Sequence, residues 1–323
     1  MNRLTRRSLL GALATLSLVK PSLASQSFQS GALTMGTGQP GGAFTIFGPA
    51  WGRLITQMTG VEMVYRSTGG SGSNLLLIEE GSAQLGLSSL PIAIQAHTGT
   101  GGWTDGIKLQ QFRALFPTFP SILQIVAPAD GAATLGELAG KPIGAGPAGA
   151  ANPALLKTIF ASQGVMPSQI EEGPYLQQIT QLLQGDLAAC AFFGAPPVPA
   201  IKTIAIGNRL RLIGFSEAQA KRAAGAIPGL TRMILKAGTF PGQTIGVGSV
   251  GTLDIAVGTA DLSDDMAAAA TLAGLKHRAQ LAAIVPAAAE PLPLSPIHQA
   301  GLPFHPGALK ALRMLDYTVP QQA

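Results

Sequence analysis

The fold is decided at Gly36-Thr-Gly-Gln-Pro-Gly-Gly42, a stretch that leads directly into Ala43-Phe-Thr-Ile-Phe47. An apolar run from Ala32 to Met35 precedes the glycines, and apolar residues follow them at helical spacing. The pattern predicts a buried strand, a glycine turn and a helix that begins at the turn. Such a corner favours an anion, because the first N–H groups of a helix have no internal partner. Alone, it fits a plain strand-to-helix connection, a dinucleotide site or a solute site.

The dinucleotide alternative is the weaker one. The motif GxGxxG fits Gly36 to Gly41, but the acid that holds the ribose should end the second strand about 20 residues further on. That strand runs from Val61 to Arg66, with Glu62 at its start. A P-loop is excluded, because no Gly-Lys-Ser/Thr follows the glycines. We therefore expect no nucleotide cofactor.

Short strands alternate with helices along most of the chain, which predicts an α/β fold with a mostly parallel sheet. Separate strands are predicted at Phe112 to Phe116, Leu123 to Ala127, Ile245 to Val250 and Leu253 to Gly258. Asn152 is predicted to cap the helix that follows it. With 323 residues, the chain is long enough for two domains.

Two more polar, glycine-containing loops, 67–73 and 146–152, follow predicted strands. Ligands of open α/β sheets bind at the carboxyl ends of the strands, so we expect the three loops to converge on one cleft. Backbone donors are expected at Gly41, Gly42, Gly69, Gly70 and Gly149. Side-chain donors are expected at Thr37, Thr68, Ser71, Ser73 and Asn152. This set suits a carboxylate or another oxyanion.

The N-terminus has the order of regions of an export signal. Three arginines within residues 1–7 precede the apolar run Ser8 to Val19, which is too short to span a bilayer. Small residues then predict cleavage near Ala24, so residues 1–24 are predicted to be a signal peptide. Thr5-Arg-Arg-Ser-Leu-Leu10 resembles a twin-arginine signal, although the Sec route stays open. We expect a periplasmic protein that is soluble after cleavage.

Composition excludes several classes of function. Removing the four basic residues of the leader from 21 leaves 17 against 16 acids, so neither nucleic acid nor an anionic membrane is an expected partner. A single cysteine, Cys190, excludes an intrachain disulfide, and the four histidines have no metal-ligand spacing. No Gly-x-Ser-x-Gly elbow follows a strand. We expect no metal, no catalytic residues and no enzyme.

Several stretches together resemble one family. Gly36 to Gly48 resembles its G-T-G-G-x-G-G-T-Y-Y-P-x-G motif, and Ser67-Thr-Gly-Gly-Ser71 its S-T-G-G-S motif. Further matches follow in family order at Gly140 to Pro147, Ala191 to Phe193, Gly238 to Gly242 and Pro303 to Ala308. The chain thus resembles the TAXI class of solute-binding subunits of tripartite ATP-independent periplasmic (TRAP) transporters.

The resemblance implies an α/β, two-lobed periplasmic-binding-protein type II fold with a ligand cleft between the lobes. Residues 31–121 and 241–323 would form lobe I and residues 122–240 lobe II, with hinges near Ser121 and Phe240. The partners would be a small organic anion, such as a dicarboxylate or a glutamate-like acid, and a TRAP-type membrane permease. The receptor would act as a monomer. An enzyme or a signalling receptor on the same scaffold is the alternative.

The resemblance also implies a set of ligand-binding residues, carried over by position. In lobe I these are Gly41, Gly42, Ala43, Phe44, Thr45, Ser67, Thr68, Gly69, Gly70, Ser71, Ser88 and Ser89. In lobe II they are Pro147, Ala148, Gly149, Ala150, Ala151, Asn152 and Phe193.

This chain departs from the family at two places in lobe I. Ala43-Phe44-Thr45 stands where Thr-Tyr-Tyr is usual, and Ser88-Ser89-Leu90 where Gln-Ser-Asp is common. The lost hydroxyls and acid should weaken recognition of an ammonium group, because an unmatched buried donor costs about 1–3 kcal/mol. We therefore expect a ligand less polar than glutamate, such as a keto acid or a monocarboxylate with an apolar tail.

Overall fold

The computed structural model describes residues 31–150, 152–205 and 210–319. The predicted signal peptide and the predicted site residue Ala151 lie outside the described residues. Within them, no helix is both long and apolar enough to cross a membrane.

Lobe I begins with three strand–helix units. They are β1 (Leu33–Gly36), α1 (Phe44–Thr59), β2 (Met63–Arg66), α2 (Ser71–Glu79), β3 (Leu85–Ser89) and α3 (Leu90–Thr98). β1 pairs in parallel with β2 and with β3. The predicted strand, glycine turn and helix around residues 36–42 are therefore confirmed, with α1 beginning two residues after the turn.

Two long strands, β4 (Phe112–Pro128) and β10 (Val247–Thr259), connect the lobes. The sequence predicted each as two short strands, which is wrong. In β4 the apolar pattern is interrupted by Pro117 and Pro120, which cannot donate to a neighbouring strand. The pairing of β4 with β10 shifts its register between Asp254 and Ile255, so that this part of the strand tolerates the prolines.

Lobe II contains β5 (Pro142–Gly144), α4 (Asn152–Ser162), β6 (Gln169–Glu171), α5 (Tyr175–Gln184), β7 (Ala189–Gly194), α6 (Pro199–Ala205), β8 (Leu210–Ile213), α7 (Glu217–Ala226) and β9 (Leu230–Leu235). β5 pairs in parallel with β6 and β7, and the C-terminal half of β4 lies between β7 and β8. The whole sheet has the order β2-β1-β3-β10-β4-β7-β5-β6, with β8 against β4 and β9 against β10.

The chain returns to lobe I through α8 (Asp264–Lys276), α9 (Arg278–Ala282), α10 (Ser295–Gln299) and α11 (Pro306–Met314). The fully buried Trp51 of α1 joins this segment to the sheet. Its indole N–H donates to the carbonyl of Ala270 at 2.8 Å, and its ring lies edge-on to Phe116 with centroids 5.4 Å apart. Burying such a ring stabilises the lobe by about 1.5–3 kcal/mol, so the C-terminal helices are part of the core of lobe I.

Candidate functional site

A cavity of about 50 Å³ lies between the two lobes. Four helices begin at it, because Phe44, Ser71, Asn152 and Tyr175 are the first residues of α1, α2, α4 and α5 and all four line the cavity. The positive ends of four helix dipoles therefore point toward the same small volume. This matches the expectation that the carboxyl ends of the strands carry the site.

The lobes touch directly beside the cavity. The N–H groups of Gly72 and Ser73 donate to the carbonyl of Gly149 at 3.0 and 3.4 Å, and Ala200 N–H donates to the carbonyl of Gly41 at 3.1 Å. A Cβ at Gly69 would clash with the carbonyl oxygen of Ala148 in the other lobe. Only glycine permits this approach, so the structure is that of a closed cleft.

Ten of the predicted site residues line the cavity: Gly42, Ala43, Phe44, Gly69, Gly70, Ser71, Ser89, Ala150, Asn152 and Phe193. The other described ones do not line it. Pro147, Ala148 and Gly149 form the loop that meets lobe I, and Gly41 packs against Tyr175 and Ala200.

The predicted hydroxyls outside the cavity hold the loops together. Thr45 Oγ1 donates to the carbonyl of Gln39, Ser67 Oγ to that of Gly38 and Ser88 Oγ to that of Ser89, while Thr68 Oγ1 donates to Asn74 Oδ1. These side chains shape the wall of lobe I rather than reach a ligand.

Two of the backbone donors expected for a ligand are also used inside the loops. Gly42 N–H donates to the carbonyl of Gln39 at 3.2 Å, and Gly70 N–H donates to Thr68 Oγ1 at 3.0 Å. The expectation that these amides are free was wrong, because each loop is short enough to satisfy its own donors.

A buried amide fixes the wall of lobe I. Asn74 lies in the first turns of α2, and its Nδ2 donates to the carbonyls of Thr37 and Leu87, each at 2.8 Å. Its Oδ1 accepts from Thr68 Oγ1 at 2.7 Å. Asn74 thus ties the ends of β1, β2 and β3 together. Gly36 is required beside it, because a Cβ there would clash with Asn74 Oδ1.

Two of the buried amides of lobe II, Gln178 and Asn152, fix the loops beside the cavity. Gln178 Oε1 accepts from Gly146 N–H at 2.7 Å, and its Nε2 donates to the carbonyl of Glu171 at 2.8 Å. Asn152 Oδ1 accepts from Phe193 N–H at 2.9 Å, and its Nδ2 donates to the hydroxyl of Tyr175 at 3.3 Å. The prediction that Asn152 caps α4 was wrong, since its side chain joins α4 to β7 and α5 instead.

Asp254 is one of six cavity-lining residues that the sequence did not predict as ligand-binding; the others are Gly38, Gln39, Ser121, Tyr175 and Gly194. Asp254 lies in the middle of β10, is 2% exposed, and accepts a hydrogen bond at Oδ2 from Ser121 Oγ. Burial raises the pKa of Asp254 to about 8, opposed by the hydrogen bond from Ser121. A signal was present, because Asp254 is the single acid in an apolar strand. Tyr175, also missed, has its pKa raised to about 12 by burial, so its hydroxyl stays protonated.

Ser89 brings an unpartnered hydroxyl to the cavity. Its backbone N–H donates to Ser71 Oγ at 3.0 Å, but its buried Oγ has no hydrogen-bond partner among the described residues. A buried polar atom without a partner costs about 1–3 kcal/mol. Its position is therefore suited to a hydrogen bond with a bound molecule.

The cavity combines polar and apolar walls. Phe44 and Phe193 supply rings, while hydroxyls, the side-chain amides of Gln39 and Asn152 and the carboxyl of Asp254 supply the polar groups. No lysine, arginine or histidine is among the described residues that line it, and these residues contain no cluster suited to a metal ion. The cavity can therefore hold a small molecule that is partly apolar and forms several hydrogen bonds.

Comparisons with known proteins agree with this architecture. A sequence model described as the NMT1-like family matches residues 35–313. The structure of the periplasmic binding protein BugD is similar with a TM-score of 0.52 and 12% identity, over 86% of this chain and 100% of that one.

A second solved structure is that of the alkanesulfonate-binding protein SsuA from Xanthomonas axonopodis pv. citri, bound to MOPS. It has a TM-score of 0.50 and 15% identity, and the match covers 91% of this chain and 96% of that one. At such identities the likeness concerns the fold. The expected two-lobed periplasmic-binding-protein type II fold is confirmed.

Proposed function

The chain belongs to the NMT1-like family, and from this we propose that it is an extracytoplasmic solute receptor, not an enzyme, that closes its lobes around a small organic anion. The observation that carries the proposal is the closed cavity to which both lobes contribute. A molecule held there is surrounded by Phe44 and Ser89 on one side and by Phe193 and Asn152 on the other. Ligand binding would thereby stabilise the closed arrangement of the lobes.

We propose that the ligand is a keto acid or a monocarboxylate with an apolar tail. Helix N-termini and hydroxyls favour one anionic group, and the rings of Phe44 and Phe193 favour an apolar remainder. A second anionic group would have no cationic partner among the described lining residues. Two like charges about 5 Å apart repel by roughly 3 kcal/mol at an effective dielectric constant of 20. Dicarboxylates should therefore bind less tightly.

Closure would occur about β4 and β10, which both lobes share. We propose residues 31–121 and 253–323 as one moving body and residues 122–252 as the other, because β9 pairs with Val247–Thr252 of β10. One hinge would lie near Ser121, where β4 exchanges β10 for β7 and β8, and the other near Thr252, which lies opposite Ser121. The hinge predicted near Phe240 does not fit this pairing, because it would separate β9 from β10. Opening would break the hydrogen bonds from Gly72, Ser73 and Ala200.

We further propose that the receptor is exported, works as a monomer and delivers its ligand to a TRAP-type membrane permease. The predicted signal peptide and the resemblance of residues 36–48 and 67–71 to TAXI motifs support this proposal. Transport into vesicles that contain the permease encoded nearest to this gene tests it. Uptake that does not depend on added receptor would contradict the proposed partner.

The ligand class is tested with the mature chain from residue 25 onward in a thermal-shift panel. The panel contains pyruvate, 2-oxobutanoate, 2-oxoglutarate, succinate and glutamate. A ligand at 100 times its dissociation constant stabilises by about 2.7 kcal/mol, so the best monocarboxylate should raise the melting temperature by about 5 °C or more. A clear preference for glutamate over its deaminated analogue rejects the ligand class, and no response to any carboxylate rejects the anion receptor.

A further inference from the structure

Asp254 occupies the floor of the cavity at the junction of the lobes. In β10 it pairs with Ser89 of β3 on one side and with Phe119 of β4 on the other. Ser121 donates to its Oδ2, which leaves Oδ1 as the oxygen that can carry a proton or meet a ligand. A carboxyl in this position contacts whatever the cleft closes around.

No positive charge balances this carboxyl among the described residues of the cavity. The flanking strands contribute Ser89, Phe119 and Ser121, none of which is ionisable in the accessible pH range. From α5 only Tyr175 faces it, and the charge of Asp254 helps to raise the pKa of that phenol. Among the described side chains, only the Ser121 hydroxyl donates a hydrogen bond to Asp254 in the closed cleft.

A bound carboxylate would add a second negative charge to the same cavity. On the premise that the receptor captures an organic anion, as proposed above, we infer that Asp254 binds the ligand in its protonated form, so that closure takes up one proton. The protonated Oδ1 would donate to the ligand carboxylate, while Oδ2 continues to accept from Ser121. The ligand and the ionised Asp254 each carry one negative charge, and the proton taken up carries one positive charge. The closed complex therefore has a single negative charge in the cavity.

The direction of the pH dependence follows from the two states of Asp254. In an open, hydrated cleft we expect the ordinary pKa of 3.8, whereas burial in the closed cleft raises the pKa to about 8. Between these values the closed complex binds more protons than the open protein, so affinity falls as pH rises. The fall can reach about tenfold per pH unit. An ammonium-bearing ligand would instead keep Asp254 ionised, as it is in the open protein, so that no proton would be taken up and affinity would not fall with pH in this range.

The inference is tested by titration calorimetry with 2-oxobutanoate, or with whichever monocarboxylate of the panel binds most tightly. Measurements in buffers of different ionisation enthalpy give the number of protons exchanged. Near pH 6 we expect an uptake of about one proton per ligand and an affinity that falls toward pH 8. If the monocarboxylate binds without proton uptake, the inference is wrong but the proposed function stands. If no carboxylate binds, the proposed function is wrong as well.

Substitution separates a proton-binding role from a charge-pairing role. Asp254→Asn should abolish proton uptake and flatten the pH profile, and at pH 8 it should bind at least about tenfold more tightly than the wild type. Loss of binding in Asp254→Asn, together with tight binding of an amino acid by the wild type, would overturn the inference. Asp186→Asn, which changes an exposed carboxylate, is the matched control and should leave proton uptake and the profile unaltered.

A second variant keeps the inference testable should Asp254→Asn fail to fold. Ser121→Ala removes the hydrogen bond that lowers the pKa of Asp254. The decline in monocarboxylate affinity should then move to higher pH than in the wild type, while one proton is still taken up. A profile that stays in place, or moves to lower pH, contradicts a protonated Asp254 in the complex.

Discussion

The two walls of the cleft are fixed by the same device, a buried side-chain amide, but they use it differently. In lobe I all three hydrogen bonds of Asn74 go to groups of lobe I. In lobe II Gln178 has this internal role, while Asn152 donates to Tyr175, whose hydroxyl lies at the cavity. The buried amide of lobe I is therefore used entirely within its own lobe, whereas Asn152 of lobe II is hydrogen-bonded to Tyr175, which lines the cavity.

Because of this difference, the buried amide of lobe I should matter mainly for folding, and the polar groups of lobe II should also matter for ligand binding. An amide whose partners are all backbone or loop groups contributes to the folding of its lobe before any ligand is present. The hydroxyl of Tyr175 accepts from Asn152, and we expect it to donate its proton to a ligand when the cleft is occupied. Substitutions in the two walls should thus affect different measurements, and the following predictions are ordered by the size of the effect.

The largest effect is expected from Asn74→Ala. Its loss leaves the buried carbonyls of Thr37 and Leu87 without their donor, so the free energy of unfolding should fall by about 3–4 kcal/mol. Gln178→Ala removes the acceptor of Gly146 N–H and the donor to the less buried carbonyl of Glu171. It should lower the free energy of unfolding by about 2–3 kcal/mol. Denaturant unfolding of the unliganded protein measures both.

The control for these two variants is Gln280→Ala, because that side chain is exposed on α9 and its change should stay within about 0.5 kcal/mol. Equal costs for Asn74→Ala and Gln280→Ala would show that the wall of lobe I does not depend on its amide.

A large effect on binding, without one on folding, is expected from Gly69→Ala. The backbone of Gly69 lies outside the left-handed region, so lobe I accepts a Cβ there, but the Cβ clashes with Ala148 when the lobes meet. Monocarboxylate affinity should fall by about 100-fold, equivalent to about 2.7 kcal/mol. Gly102→Ala is the control, because nothing lies within 4 Å of a Cβ at that exposed glycine. Unchanged calorimetric affinity in Gly69→Ala would mean that the ligand is held without this closure.

Tyr175→Phe should have a smaller effect that is divided between the two measurements. Removing the hydroxyl takes away the acceptor of Asn152 Nδ2 and a donor at the cavity. We expect about 1 kcal/mol less stability and about a five- to tenfold weaker affinity. Tyr317→Phe, at a half-buried tyrosine of lobe I that does not line the cavity, should change neither quantity. If Tyr175→Phe leaves the affinity unchanged, the hydroxyl of Tyr175 does not form a hydrogen bond with the ligand.

The sequence predicted the loops that surround the site better than the polar side chains that line it. Glycine turns after apolar runs have local causes, so the corners at residues 36–42, 67–73 and 146–152 were predictable and belong to two lobes that meet. Asp254 and Tyr175 reach the cavity only because β10 and α5 are brought there by the tertiary fold. Spacing along the chain contains no information about that approach, whereas the rarity of an acid in a buried strand does.

Sequence spacing also does not show which polar groups of the loops are available to a ligand, and some of them were therefore predicted wrongly. Hydroxyls and amides in a glycine-rich loop can satisfy one another, and only the folded geometry decides which remain available. Thr68 and Ser67 were predicted to contact the ligand, yet they donate to Asn74 Oδ1 and to the carbonyl of Gly38. Ser89, in contrast, is held in β3 with its Oγ free of partners among the described residues.

The smallest and most diagnostic prediction concerns this hydroxyl. Because Ser89 Oγ has no partner to lose, Ser89→Ala should leave the free energy of unfolding unchanged or raise it by about 0.5 kcal/mol. If the hydroxyl donates to the ligand, affinity should fall by about three- to tenfold in calorimetry. Ser82→Ala, on the exposed turn after α2, should alter neither value. A destabilised Ser89→Ala with unchanged affinity would instead make Ser89 a structural residue like Asn74, and the wall of lobe I would then contribute only shape to recognition.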